Sequence, residues 1–303
     1  MIYTVTLNPS LDYYLKVNNL RTGALNRAVA ERLTVGGKGI NVTIQLKKLG
    51  DKSVALGFVA GFTGKQISEE MERMGACHDF LEVEGRSRIN VKIKSTAETD
   101  VNAVGAKVTR GDVKKLTDKL KGKLKEGDFV TVGGSAPAGL GDDIYADIIA
   151  ELGEVRGVNF IVDACGKLLT STLRHKPFLI KPNIVEMGEI FGVAIPDDNR
   201  TVALYARKLQ QMGARNVIVS LGSSGAVMIT ENNQTLFVKA VNSQLVNSAG
   251  AGDCMIAGFI HEFIRTHDHL KSLNFATATG SACAFTEGIP TKEQIEYVES
   301  LML

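Results

Sequence analysis

The chain has 303 residues, 44% of them apolar and 22% charged, with a formal net charge of +2. That length and balance allow a large buried core and exclude a disordered chain. So small a net charge gives no footprint for nucleic acid or a membrane surface, and no apolar run approaches the length of a bilayer span.

From the N-terminus, Ile2-Tyr3-Thr4-Val5-Thr6-Leu7 alternates like a strand and does not read as a signal peptide. Asn8-Pro9-Ser10-Leu11-Asp12 ends it, where an α/β ligand site is expected. Asp12 there is either an acceptor for two sugar hydroxyls or an ordinary turn residue. Gly36-Gly37-Lys38-Gly39-Ile40-Asn41 is a glycine-rich turn that opens a helix through Ile44. It is not a phosphate loop of the G-x-x-x-x-G-K-[ST] kind, and no strand-linked G-x-G-x-x-G occurs. Gly36 and Gly37 would let backbone approach a polyhydroxylated anion, with Asn41 for hydroxyls and Lys38 for a phosphate. A plain strand-to-helix turn with a solvated lysine is the alternative.

Residues 12–17 and 86–94 read as strands with no intervening helix. In the second, Arg88, Asn90, Lys92 and Lys94 share one face and Ile89, Val91 and Ile93 the other. They predict a small sheet covering the main domain, or else an extra hairpin on the main sheet. Elsewhere strand-like and helix-like stretches alternate. The strand at 54–59 precedes a helix through Ile67, Met71 and Met74; that at 129–132 precedes one through Ile144, Ile148 and Leu152. Short apolar runs at 160–162, 178–180 and 217–219 fit buried parallel strands, with a helix through Leu204, Leu209 and Met212 before the last. The pattern predicts a doubly wound, mostly parallel α/β sheet with helices on both faces.

Lys181-Pro182-Asn183-Ile184-Val185-Glu186 follows one of those strands. Asn183 and Glu186, one helical turn apart, suit either a water-held Mg²⁺ or a simple helix cap. Gly250-Ala251-Gly252-Asp253 precedes apolar residues at helical spacing, Ile256, Phe259, Ile260 and Phe263. The amides of Gly250, Ala251 and Gly252 should therefore face an anion from a helix N-terminus, with Asp253 a base or an N-cap. The four scattered cysteines, Cys77, Cys165, Cys254 and Cys283, fit reduced thiols in a cytoplasm and no zinc site. His261, His267 and His269 read as an exposed helix end and not as a metal cluster.

Taken together, these motifs resemble the ribokinase-like (PfkB-type) sugar kinases from end to end. The resemblance includes Gly36-Gly37-Lys38-Gly39-Ile40-Asn41, Lys181-Pro182-Asn183 with Glu186, residues 219–225 as nucleotide strand and turn, and Gly250-Ala251-Gly252-Asp253. The turn at 8–12, Lys38 and Arg88-Ile89-Asn90-Val91-Lys92 look like the branch that phosphorylates hexose phosphates. It implies one kinase domain over 1–303, with lid strands from about 11–35 and 86–104. The reaction implied is ATP-dependent phosphorylation of fructose 1-phosphate to the 1,6-bisphosphate, with tagatose 6-phosphate as the alternative substrate. A sugar-phosphate-binding regulator without catalysis is the reading from another class.

The resemblance also assigns roles. Asp253 would be the base, with the Gly250, Ala251 and Gly252 amides stabilising the transferred group. Asp12, Gly36, Gly37, Lys38, Asn41, Arg88, Lys92 and Ser135 would hold the sugar phosphate, with Arg27 as helper. Lys181, Asn183, Ser220, Gly222, Gly225 and Gly280 would hold ATP, and Glu186 with Asn183 would hold Mg²⁺ through water. A cytoplasmic homodimer joined through the lid is implied. Residues 99–106 depart from the branch pattern, lacking both of its usual prolines.

Overall fold

The computed structural model describes residues 1–302. The chain opens with β1 (Ile2–Thr6), then leaves the main sheet for β2 (Ser10–Val17) and β3 (Ala28–Gly36). It returns through α1 (Lys38–Lys48), β4 (Ser53–Val59), α2 (Gly61–Arg73) and the short β5 (Leu81–Glu82). A second excursion forms β6 (Arg88–Lys94) and β7 (Glu98–Val101). Regular alternation follows with α3 (Arg110–Lys121), β8 (Phe129–Gly133), α4 (Ile144–Leu152), β9 (Asn159–Asp163) and α5 (Gly166–Thr170). Next come β10 (Leu179–Ile180), α6 (Ile184–Phe191), α7 (Asn199–Gln211) and β11 (Asn216–Ser220). The chain ends with β12 (Ala226–Ile229), β13 (Thr235–Val238), α8 (Ala251–Thr266), α9 (His269–Ala284) and α10 (Lys292–Ser300).

The nine-stranded sheet runs β13-β12-β11-β10-β9-β8-β1-β4-β5, parallel from β11 to β5 with an antiparallel edge at β12 and β13. Because successive side chains point to opposite faces, a strand apolar at every position must be covered on both. Val130, Val132, Val217 and Val219 enter one core with Leu116, Ile148 and Leu209 of α3, α4 and α7. Phe129, Ile161 and Ile218 enter the other with Leu46 of α1 and Phe259 of α8. Both faces are thus dry.

The two excursions meet in a separate four-stranded sheet, ordered β3-β2-β6-β7. A second sheet therefore stands where the sequence left a lid or an added hairpin open. One expectation fails. His261 is internal to α8 and 7% exposed, with Nδ1 2.7 Å from Asp51 Oδ2. Arg265 meets the other Asp51 oxygen at 2.7 Å, so α8 ties to the turn just after α1. Residue spacing alone does not reveal that partner.

Gly57 in β4 has φ 151°, and a Cβ there would lie 1.9 Å from the Thr6 carbonyl oxygen of β1. Gly57→Ala should therefore force β1 and β4 apart and cost more than about 2 kcal/mol, beyond the usual surface substitution. Urea unfolding checks this, and an unchanged midpoint would contradict the close strand contact.

Candidate active site

The carboxyl ends of β1, β8, β9 and β10 converge, as expected where ligands bind open α/β sheets. α1 reaches this edge because Gly37, with φ 128°, turns the chain straight from β3 into the helix. A Cβ on Gly39 would lie 2.6 Å from Thr6 Oγ1, so the first turn of α1 lies flat on β1. Thr43 and Thr4 hydroxyls share a bond of 2.7 Å one turn later. This contact carries Lys38 and Asn41 to the strand ends.

α8 arrives from the opposite side. Gly250 is its N-cap, in the left-handed region with φ 84°, which glycine adopts without strain. Asp253 sits in the first turn but makes no cap bond. Asn41 Nδ2 instead donates to Asp253 Oδ2 at 2.8 Å, leaving Oδ1 with no hydrogen-bond partner among the described residues. Burial pushes the Asp253 carboxyl up to about 6, the nearby Asp163 adds to the rise, and Lys38, Asn41 and Lys181 oppose it.

Asp163, at the end of β9, is the other buried carboxylate. Its Oδ1 accepts from Lys38 Nζ at 2.9 Å and lies 3.6 Å from Lys181 Nζ. Burial would raise its pKa, but the two ammonium groups outweigh that and hold it below the usual carboxylate range. Lys38 in turn loses to burial but gains more from Asp163, Asp253 and Glu186, so it stays firmly charged. A Cβ added to Gly252 would lie 2.8 Å from Lys181 Nζ. The Lys181 ammonium therefore lies against the first turn of α8, where backbone amides point outward.

Asp12, Gly37, Lys38, Asn41, Gly250 and Asp253 line one cleft of about 520 Å³. Arg88, Lys92 and Ser135 line it too, as do Asn90, Tyr14 and Arg32, which sequence reasoning did not place in the site. Gly36 lies next to Asp12, where a Cβ would come within 2.6 Å of Asp12 Oδ2. Arg88 Nε donates to the Asn8 carbonyl at 3.1 Å, while Lys92 Nζ meets Asp100 at 2.9 Å. Two expected cations stand differently from the sequence reading. Lys38 lines the cleft with its ammonium on Asp163 beside Asp253, and Arg27 is exposed and does not line the cleft.

The residues expected around ATP lie outside that cleft. Asn183 and Ser220 form a β-bridge, and Gly222 follows in a one-turn helix. Gly225 has its own structural reason, since a Cβ would sit 2.0 Å from the Val238 carbonyl oxygen. Gly280 of α9 packs against the Ala251 carbonyl of α8, with 3.2 Å from its would-be Cβ. Lys181 is only 4% exposed and reaches the site through Asp163 and Gly252.

Asn183 and Glu186 form a full capping box, each side chain accepting from the other's backbone N–H at 2.8 Å. The remaining Glu186 oxygen, Oε1, accepts only from the Cys165 thiol at 3.0 Å. No cluster of three or more metal-ligating side chains occurs among the described residues. One carboxylate oxygen whose only partner is a weak thiol donor fits a hydrated Mg²⁺ held through water and does not fit a cage of direct ligands. Asp163 went unnoticed in the sequence, although a lone carboxylate closing a buried apolar run was the signal for it.

Known proteins resemble the chain over nearly its whole length. The chain is 40% identical over 296 residues to a 1-phosphofructokinase of Bacillus subtilis, covering 98% of this chain and 96% of the relative. It is 32% identical to a D-tagatose-1-phosphate kinase of Bacillus licheniformis, covering 99% and 98%. Phosphofructokinase-2 from Escherichia coli, solved with substrates and products, superposes with a TM-score of 0.92 at 22% identity, covering 99% of each chain, a likeness of fold alone. With the pfkB family carbohydrate kinase model matching residues 6–294 as well, the chain belongs to the pfkB family of carbohydrate kinases.

Proposed function

We propose that this kinase transfers the γ-phosphoryl group of ATP to a free primary hydroxyl of a ketohexose monophosphate, with fructose 1-phosphate as substrate and the 1,6-bisphosphate as product. The observation that carries the reading is Asp253, a buried carboxylate pushed up to about 6 at the N-terminus of a helix, with one oxygen free beside a polar cleft. A residue that only capped the helix would turn its oxygen back to the amides. Here Asn41 holds Oδ2, so Oδ1 is the atom that takes the hydroxyl proton. The hydroxyl oxygen then bonds to the γ-phosphorus as the bond to the bridging oxygen breaks and ADP leaves.

Charge developing on the transferred group meets the amides of Ala251 and Gly252, with Lys181 against Gly252 and Lys38 beside Asp253. Lys38 thus belongs with the reacting end, and the phosphate already on the sugar falls to Arg88 and Lys92. Asn183, Ser220, Gly222, Gly225 and Gly280 would frame ATP beyond the first turn of α8. Mg²⁺, when bound with ATP, would neutralise polyphosphate charge, with its waters held by Glu186 and Asn183. The relatives named for fructose and tagatose phosphates make a tagatose phosphate the second substrate to try.

We place a homodimer contact on the outer face of the small sheet. Strand register puts Leu33, Tyr13, Val91 and Val101 in one row across all four strands, on the face away from Asp12. Leu33 is 49% and Val101 56% exposed. A row of this kind is poorly buried in a lone subunit.

Asp253→Asn should lower kcat by about 10²–10⁴-fold, the usual weight of a general base, with thermal stability little changed. Coupled ADP release with fructose 1-phosphate, the tagatose phosphates and unphosphorylated sugars measures it. Near-normal turnover in the variant sinks the mechanism, and tight binding without turnover in wild type would favour a regulator. Light scattering should give twice the 32.6 kDa of one chain; a monomer at assay concentration removes the dimer.

A further inference from the structure

The Asp12 carboxylate is held by two donors on one of its oxygens. Ser10 Oγ donates to Oδ1 at 2.7 Å and Asn90 Nδ2 donates to the same atom at 2.9 Å. Strand register builds this arrangement. Asn90 of β6 stands directly across from Asp12 of β2, Ser10 is two residues back on the same face, and Gly36 of β3 pairs with Ser10. Oδ2 is left over Gly36, within 2.6 Å of where a Cβ would be. Any side chain at position 36 would collide with it, so one oxygen is saturated and the other is presented over bare backbone.

Asn90 pays for its orientation. It is 5% exposed, and its own Oδ1 is buried with no partner. An ionised carboxylate only accepts, so the amide must turn its NH₂ to Asp12. That leaves the carbonyl oxygen unsatisfied, a state protein interiors avoid. Fold stability alone gives no reason to keep such an amide, whereas fixing a sugar-binding carboxylate does. Arg88 and Lys92 flank Asn90 at two-residue spacing on the same face, so the amide sits between the cations meant for the sugar's phosphate.

We propose that Ser10 and Asn90 are positioning residues that lock the Asp12 carboxylate, and that this lock sets the choice between ketohexose phosphates epimeric at a ring hydroxyl. The inference rests on the sugar-phosphate kinase reading above. A carboxylate free to rotate can follow a hydroxyl on either side of the ring, whereas a locked one meets only one configuration. Fructose 1-phosphate and tagatose 1-phosphate differ only at C4 and carry the same phosphate, so their ratio isolates this effect from the cation clamp.

The test is kcat/KM for those two substrates, and for free fructose, on wild type, Asn90→Leu and Ser10→Ala. Asn90→Leu keeps the size of the side chain and removes the donor without adding charge beside Arg88 and Lys92; Ser10→Ala removes the other donor should the first variant fold poorly. The expected result is a rise of roughly tenfold in KM for the preferred sugar phosphate, an unchanged KM for ATP, and an epimer ratio that falls at least fivefold. Preference for phosphorylated over free fructose should survive, because the clamp is intact. An unchanged epimer ratio in both variants, with wild type active, overturns the lock alone. Wild-type enzyme inactive on every ketohexose phosphate overturns the functional reading and the lock with it.

Discussion

Asp163 holds two lysines with a single oxygen at the point where the carboxyl ends of the sheet meet α1 and α8. Lys38 comes from α1, Lys181 from the segment after β10, and the site's charge balance depends on the carboxylate between them. Breaking such a buried pair by removing one partner costs about 3–5 kcal/mol, since the remaining charge is left uncompensated. The same carboxylate repels the negative form of Asp253, which with burial lifts that group toward neutrality. Lys38 is thus kept charged while the proton affinity of a neighbouring carboxylate is raised. Direct pairing of the lysines with Asp253 would instead lower that carboxyl's proton affinity.

The site closes from two rigid directions. α1 lies on β1 through the Thr4–Thr43 bond and meets α8 at both ends, by Asn41 with Asp253 at the site and by Asp51 with His261 and Arg265 at the far end. The small sheet supplies the third wall, with its polar face over the cleft and an apolar row on its back. Arg32 of β3 donates to the Glu287 carbonyl at 2.8 Å, so the lid also touches the segment after α9. Asp253, Lys38 and Lys181 stand on the side of the main sheet, and Asp12, Arg88 and Lys92 on the small sheet.

Much of this was legible in the sequence, for physical reasons. Gly36, Gly37, Gly250 and Gly252 are readable because close backbone approach demands glycine, and apolar runs such as 217–219 are readable because both faces of the sheet are covered. What stayed hidden depends on which elements become neighbours. Asp163 looks like any strand-end carboxylate until β9 falls between β8 and β10. Asn90 gains its meaning only from a register that sets it opposite Asp12. His261 looked exposed because its partner lies 210 residues away.

The central claim is that Asp253 works as an ionised base whose affinity for a proton is raised by burial and by Asp163. The pH dependence of kcat/KM for the sugar phosphate, under saturating ATP and magnesium, tests it most directly. Because the group must be deprotonated to act, activity should be full above its pKa and fall as pH drops through about 6. An acidic limb near 4, the range of an ordinary carboxylate, or no limb at all above pH 4, would contradict the account.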